Sequence, residues 1–393
     1  MAICDNKLFH ARNTKVYFEP LTSAGVSHGR VWEIPVLDGF SFTQATNSSE
    51  ITLAEMESTA GVSRRGKRMF NDSLAPAEWS CSTYVRPFVS TGSASAPLAD
   101  NDGRSRAVEE VLWALFMGPA VWDGTNYNFE GATNTEYQTW NTAGTTMTLD
   151  FGESNASTVG TANIYFRLGE VGAYLYYKLS GAVVNEATIN FDIDGIAMVE
   201  WSGLGSDLQE ILVGAFPSID VTEGITSTSN FIRNRLTSLS VTPNQASYNS
   251  GELETTYDLT LTGGSVTFSN NITYITPEEL GILNIPFAHV TGARSISGSF
   301  TTYLINNAVD TDKSADFWSD LKALTTTITH DIALAFSIGG ASGNPKLTIT
   351  MPSCHVEIPT HSIEDTISVE TSFTALGTCI EATDEATLAY YAA

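Results

Sequence analysis

The strongest constraint in this sequence is that its two halves run through the same motifs in the same order. Asp38-Gly39-Phe40-Ser41-Phe42-Thr43-Gln44-Ala45-Thr46-Asn47, closing on Ile51-Thr52, aligns without a gap on Thr262-Gly263-Gly264-Ser265-Val266-Thr267-Phe268-Ser269-Asn270-Asn271, closing on Ile275-Thr276. Ser82-Thr83-Tyr84-Val85 then answers Thr301-Thr302-Tyr303-Leu304, and the helical run 107–114 answers 317–324. The strand ending Glu200-Trp201-Ser202-Gly203-Leu204-Gly205 answers Thr371-Ser372-Phe373-Thr374-Ala375-Leu376-Gly377. Each match is weak alone, but four in one order point to a duplicated β-rich domain. Such chains often build rings or tubes, two quasi-equivalent copies replacing two subunits.

The length of 393 residues accommodates two ordinary domains, placed here at 1–228 and 229–393. Only 16% of residues are charged, while Thr, Ser, Gly, Asn and aromatics abound, the composition of half-buried strands and turns. Alternation predicts strands at 15–18, 30–37, 39–51, 78–89, 146–151, 162–168, 173–179, 187–193 and 197–202 in the first copy. In the second it predicts 236–241, 255–261, 265–274, 295–304, 331–338, 346–351, 354–358 and 367–373. Two helices are expected: one capped by Ser105, with Val108, Val111, Leu112 and Leu115 as its apolar face and Gly118-Pro119 as its stop, and one near 316–324 capped by Ser314. Residues 206–229 read as the connection between copies.

The formal charge of −25 disfavours a tight nucleic-acid binder, which needs a basic surface. An acidic wall can still face nucleic acid if its task is to repel it. No Lys or Arg occurs between Lys178 and Arg233 or after Lys346, and these stretches hold Asp192, Asp194, Glu200, Glu364, Asp365 and Glu370. Equivalent strands of both copies are thereby expected to share one acidic, lumen-like surface, against the plainer reading of general acidity. Conversely, Arg64, Arg65, Lys67 and Arg68 concentrate four of 19 basic residues in one long loop, suited to pairing with an acidic neighbouring subunit.

Motifs for chemistry are poor. Asp192 and Asp194 before Gly195, and Asp100-Asn101-Asp102-Gly103, are fragments of calcium loops without the later ligands. Strand alternation puts Cys354 and His355 on opposite faces, so with His361 they make no metal set. Nucleophile-elbow, zinc-protease, P-loop and dinucleotide signatures are missing, and no catalytic residue, metal or cofactor is expected. Four scattered cysteines, Cys4, Cys81, Cys354 and Cys379, read as reduced thiols of a cytosolically made protein. No apolar run is long enough for a membrane helix, and the start has no signal-peptide pattern.

Glu33-Ile34-Pro35-Val36-Leu37-Asp38-Gly39-Phe40-Ser41-Phe42, the long loop, Ser82-Thr83-Tyr84-Val85-Arg86-Pro87-Phe88, one flanking helix and a final strand pair together resemble tail tube (major tail) proteins of long-tailed bacteriophages, over most of the chain. The resemblance implies a mainly β chain of two tandem antiparallel β-sandwich domains, each with a flanking α-helix, whose inner sheets join neighbours into a ring β-barrel. It also implies a virion protein made in the host bacterial cytoplasm, without enzymatic activity. Its partners would be itself, as a trimeric pseudo-sixfold ring stacked head-to-tail, with tail terminator, tape measure and distal tail proteins, and DNA in transient passage. In that setting Trp113 and Trp318 would pack their helices onto the sandwiches. The rival from another class is a carbohydrate-binding or adhesive β-sandwich, with Trp122, Tyr127 and Trp140 stacking on sugars. A glycoside hydrolase ranks last, no carboxylate pair standing out.

Overall fold

The structure is a computed structural model that describes residues 10, 13–21, 25–27, 31–51, 68–89, 105–118, 120–122, 127–129, 146–151, 159–170, 172, 174–219, 230–244, 256–277, 284–305, 314–323, 331–340, 345–358, 360–363, 366–379, 382 and 384–392. The first half contains β1 (Lys15–Leu21), β2 (Trp32–Ile34), β3 (Ser41–Thr43), the hairpin β4 (Thr46–Ile51) and β5 (Arg68–Leu74), β6 (Ala77–Tyr84), the pair β7 (Pro87–Val89) and β8 (Ser105–Ala107), and helix α1 (Glu110–Met117). It continues through the hairpin β9 (Ala120–Trp122) and β10 (Tyr127–Phe129) to β11 (Thr146–Asp150), β12 (Thr161–Leu168), β13 (Leu175–Asp192), β14 (Met198–Gly205) and β15 (Asp207–Ile211). The second half contains β16 (Ser238–Pro243), β17 (Tyr257–Leu259), β18 (Leu261–Ser269), the hairpin β19 (Thr273–Ile275) and β20 (Ala288–Val290), β21 (Ser295–Tyr303), α2 (Ser314–Ala323), β22 (Ile332–Gly339), β23 (Lys346–Val356), β24 (Thr360–Ile363), β25 (Ile367–Leu376) and β26 (Thr387–Tyr391).

Pairing repeats between the halves. An outer sheet runs β2–β1–β12–β13 with β15 beside β13, and its counterpart runs β17–β16–β22–β23 with β26 beside β23. An inner sheet runs β3–β6–β14–β13, matched by β18–β21–β25 with β23 and β24 beside β25. The long strands β13 and β23 serve both layers: Tyr176–Ser180 and Lys346–Thr350 pair in the outer layer, whereas Glu186–Asn190 and Ser353–Val356 pair in the inner one.

The register repeats as well. Ser41 faces Ser80, which faces Ser202; Ser265 faces Ser299, which faces Ser372. The gapless match of residues 38–47 to 262–271 and that of 82–85 to 301–304 both hold in this register. The strand-end match is displaced by two residues: Gly205 corresponds to Ala375, and Glu200, opposite Ser82, corresponds to Glu370, opposite Thr301. The halves then join edge to edge, because β13 pairs β18 from Glu186↔Ser269 to Asp192↔Gly263. The result is one inner sheet, β3–β6–β14–β13–β18–β21–β25–β24, which does not close into a barrel within the chain.

Rings pack between the layers. Phe18 of β1 meets Trp79 of β6 at 5.6 Å, and Phe42 of β3 stacks on Phe166 of β12 at 4.1 Å. In the second half Phe336 of β22 meets Phe191, Phe300 and Phe373 of the inner sheet at 5.2, 6.2 and 5.7 Å. Helix α1 lies where the halves meet and buries every residue. Trp113 touches Trp201 of the first half at 4.7 Å and Phe268 of the second at 5.5 Å, and its Nε1 donates to the Tyr390 hydroxyl at 2.6 Å. Trp318 of α2 packs on Phe317 and Phe300 within its own half. Both tryptophans therefore pack their helices on the sandwiches.

Several local expectations are corrected. Ser105 is not a helix cap: it sits in β8, and its Oγ accepts the Ala392 amide at 3.2 Å. Ser314 is the first residue of α2; its Oγ donates to the Tyr303 carbonyl and accepts the Ile305 amide at 2.7 Å, tying the helix to the end of β21. The predicted strands at 173–179 and 187–193 are one strand, bent at Gly181 (φ +60°) and at a register shift between Val184 and Glu186 that breaks the sequence alternation. Residues 207–211, read as connection, form β15, and β26 was not anticipated.

Candidate functional site: the polar face of the inner sheet

One face of the inner sheet packs on the core and the other carries short polar side chains. On β6, Trp79, Cys81 and Thr83 are buried while Ser80, Ser82 and Tyr84 point the other way; on β14, Val199 and Trp201 are buried while Glu200 and Ser202 share the outward face. The face continues without a break over the junction, where Thr188 Oγ1 and Thr267 Oγ1 are 3.0 Å apart, and on through Ser299 and Thr301 of β21 and Glu370, Ser372 and Thr374 of β25. At its first edge Ser41 Oγ and Ser80 Oγ lie 2.8 Å apart.

The carboxylates on this face are Glu78, Glu186, Glu200 and Glu370, with Asp192 at its end, joined by Glu357, whose amide donates to the Ser372 carbonyl at 2.9 Å beside β25. No Lys or Arg lies on it among the described residues. Elsewhere, Arg86 and Arg106 are buried in the core, and Arg167 and Lys178 lie on the outer sheet against Tyr174 and Tyr165. Around Glu186 and Glu200 the face dips into an open depression of about 180 Å³ lined by Gly39, Ser80, Ser82, Thr188 and Ser202. It is polar and shallow, unlike the enclosed apolar pocket of a small-molecule site.

Comparing the halves in register sets the face apart from the core behind it. On the face, Ser41, Thr43, Ser80, Tyr84, Glu200 and Ser202 of the first half stand where Ser265, Thr267, Ser299, Tyr303, Glu370 and Ser372 stand in the second. In the core layer, Phe42, Trp79, Cys81, Trp201 and Gly203 are answered by Val266, Gly298, Phe300, Thr371 and Phe373. Identity is more frequent on the face than behind it, with exceptions on both sides: Glu78, Met198 and Leu204 on the face are answered by Ser297, Ser368 and Thr374, whereas in the core the buried pair Thr83 and Val199 is kept as Thr302 and Val369.

The other residues singled out from the sequence fall at the two ends of this sheet or outside the described residues. Asp192 ends β13, with its Oδ1 accepting the Ile193 amide at 2.7 Å, and Asp194 is exposed in the turn to β14, at the rim rather than on the face. Glu364 and Asp365 lie outside the described residues. At the opposite end the β4–β5 and β19–β20 hairpins follow β3 and β18, and they touch where the Leu74 amide donates to the Asn284 carbonyl at 2.9 Å. Arg68 begins β5 opposite Ile51; Arg64, Arg65 and Lys67 lie outside the described residues. Met69 and Phe70 on one hairpin and Phe287 and Val290 by the other are exposed. Trp140 lies outside the described residues, and Trp122 and Tyr127 pair across β9–β10.

Ionisable groups in the core serve packing. Burial lifts the Glu109 carboxyl to about 7 against the pull of Arg86, and drives the Cys81 and Cys354 thiols up to about 12, the wrong direction for a nucleophile. Glu19 is pushed up by burial, but hydrogen bonds from Asn163 (2.9 Å), Ser27 and Tyr165 (2.6 Å), with Lys178 nearby, hold it below its ordinary value. Among the described residues no three His, Cys, Asp or Glu side chains gather as a metal site, and no helix is long and apolar enough to cross a membrane.

Two comparisons agree with this architecture. The profile of the phage tail tube protein family matches residues 85–375, spanning both halves. The tail tube protein pb6 of Escherichia phage T5 is 29% identical over 386 residues, covering 96% of this chain and 75% of that protein. A duplicated, antiparallel, helix-flanked sheet and a family match over most of its length lead to one assignment: the chain belongs to the phage tail tube protein family, structural β-rich components of the virion's tail.

Proposed function

We propose that two fused tube domains, 1–228 and 229–393, let three copies of this chain do the work of six, closing into a pseudo-sixfold ring by pairing sheet edges and stacking head-to-tail into a tube. The polar face of the inner sheet is the wall of the bore, and DNA passes along it during ejection. The supporting observation is the face itself: its residues recur from one half to the other more often than those of the core behind it, and it carries carboxylates without a single Lys or Arg among its described residues. Basic groups would hold phosphates and release their counterions, whereas Glu200 and Glu370 repel them and Ser and Thr keep the wall hydrated. Asp192 and Asp194 stand at the rim beside the exposed Arg233 and Arg235, and Glu364 and Asp365 are assigned to the same acidic lining by their sequence. Arg64, Arg65, Lys67 and Arg68, in the segment of sequence that leads from β4 into β5, pair with the next ring, and the exposed apolar residues of both hairpins back that contact. The ends of the tube meet the tail terminator and the tape measure and distal tail proteins. No cofactor, metal or catalysis enters this function.

The test is electron microscopy of the purified protein over a range of concentrations. Hollow tubes with three subunits per ring and with Glu200 and Glu370 lining the bore are expected. Particles that never stack, even with the other tail proteins present, would refute the reading.

A further inference from the structure

The two halves are joined in both layers. In the inner layer β13 pairs β18. In the outer layer β26 lies between β11 of the first half and β23 of the second and pairs antiparallel with both: Leu388 faces Leu149 and Ile349, and Tyr391 faces Thr146 and Lys346. The two ends of β26 are held differently. At its start Arg294 Nη2 lies 3.2 Å from Glu385 Oε2, and the Phe151 amide donates to the Ala386 carbonyl at 3.1 Å. At its other end the fully buried Tyr390 reaches α1, where its hydroxyl accepts the Trp113 Nε1–H. Beside that hydroxyl stands the carboxyl of Glu109, the fully buried residue that precedes α1.

We propose that β26 is a clasp between the halves, released from its Tyr390 end when Glu109 gives up its proton. The groups that act on the Glu109 carboxyl are Tyr390 and Arg86; Arg86 comes from the turn between β6 and β7, its guanidinium 4.7 Å from the Phe231 ring centre. Glu110, next on the helix, is taken by the Arg106 guanidinium at 3.7 Å and the Ala107 amide at 3.3 Å. The sheet beneath α1 presents Trp201 and Phe268 to Trp113, neither of them charged. Burial outweighs the pull of nearby amides, Tyr390 and Arg86, so the carboxyl titrates at about 7 rather than 4.5; burial and then Glu109 keep the Tyr390 hydroxyl protonated. A carboxylate formed in this enclosed place gains water most directly if Tyr390 withdraws. The bonds at Glu385 and Ala386 keep the start of β26 in place, whereas moving α1 would unpack Trp113 from both halves. The closed clasp keeps a proton that the open one releases between 4.5 and about 7, so opening grows as pH rises through that window and levels off above it.

The test is amide hydrogen exchange of the unassembled full chain at about pH 5 and about pH 7.5, each rate divided by that of the same segment unfolded at the same pH. Corrected exchange over 387–392 is expected to quicken at least about tenfold between the two, while the amides of the β13–β18 junction hold. Glu109→Gln, which has no proton to lose, is expected to show the same protection at both. Protection of 387–392 that does not change with pH, or that falls equally in Glu109→Gln, overturns the clasp. If Glu109→Gln does not fold, the wild-type pattern decides: quickening confined to β26 and to the amides facing it on β11 and β23 supports the clasp, and quickening spread evenly over α1, β14 and β18 overturns it.

Discussion

Replacing each helix tryptophan by phenylalanine should have unequal effects, because the two indoles stand in different circumstances. Trp113 is fully buried, donates to the Tyr390 hydroxyl at 2.6 Å and lies against Trp201 and Phe268, one from each half. Trp113→Phe removes a net hydrogen bond of about 1 kcal/mol, and the smaller ring leaves a void costing roughly another 1–2 kcal/mol. The sum is a loss of ~2–3 kcal/mol. The Trp318 Nε1 is buried with no hydrogen-bond partner among the described residues. Trp318→Phe opens a similar void but relieves an unpaired donor worth about 1–3 kcal/mol, so the net change stays within ~1 kcal/mol of zero. The assay is urea denaturation of the unassembled chain at low concentration, read as a midpoint shift at constant slope. Dilution matters, because assembly would add its own stabilisation. Because Trp113 bridges the halves, its loss should also broaden or split the transition. Equal losses from both substitutions, or a larger loss at Trp318, would refute the reasoning.

Three further outcomes are expected. Glu109, lifted by burial to about 7 from an ordinary 4.5, keeps a proton in the folded chain that the unfolded chain releases between those values; stability should fall as pH rises through that window, by roughly 3 kcal/mol, and Glu109→Gln should flatten the denaturation-versus-pH profile there. Gly298→Ala would set a Cβ 2.1 Å from the Ser265 carbonyl oxygen and 2.7 Å from the Phe373 ring, a backbone clash expected to cost about 3 kcal/mol in urea denaturation, while Gly263→Ala, with 3.6 Å to the Phe191 carbonyl, should be near neutral. Glu200→Lys with Glu370→Lys should leave the fold unchanged by circular dichroism and slow DNA ejection from virions roughly tenfold at low salt, recovering as salt rises; a salt-independent rate would count against the bore assignment.

How much of this was legible in the sequence depended on which residues carried the signal. The duplication was readable because its motifs are strand-and-turn segments whose alternation survives, and because the charge map set the arginine- and lysine-free stretches side by side. Glu200 and Glu370 were found by that route, although their exact equivalence needed the register. The single strand from Leu175 to Asp192 was not readable, since a left-handed Gly181 and a bulge switch the buried side midway and imitate a strand end. Strand β15, Asp207–Ile211, reads as a polar connection because it is a half-exposed edge. Nor did periodicity reveal that α1 is buried on all sides: Glu109 and Glu110 belong on the solvent face of an amphipathic helix, and only packing between two halves encloses them.

Likeness between the halves is more frequent on the polar face than packing alone would produce, although the buried pair Thr83 and Val199 recurs as Thr302 and Val369. Buried positions are normally held by the shape of their neighbours, while exposed serines and threonines drift at little cost. Here the core has been rearranged in compensating pairs: Trp79 lies over Gly203 in one half, and in the other the glycine is Gly298 and the ring is Phe373. One aromatic ring beside one glycine fills the layer from either strand, so the core can change as long as a large residue faces a small one. Ser80, Ser202 and Glu200 have no such reason to match Ser299, Ser372 and Glu370. A requirement acting on both faces at once accounts for it, and the proposed bore would impose one: along a wall to which each half contributes equally, any basic or sticky residue, in either half, would act on the same passing polyanion.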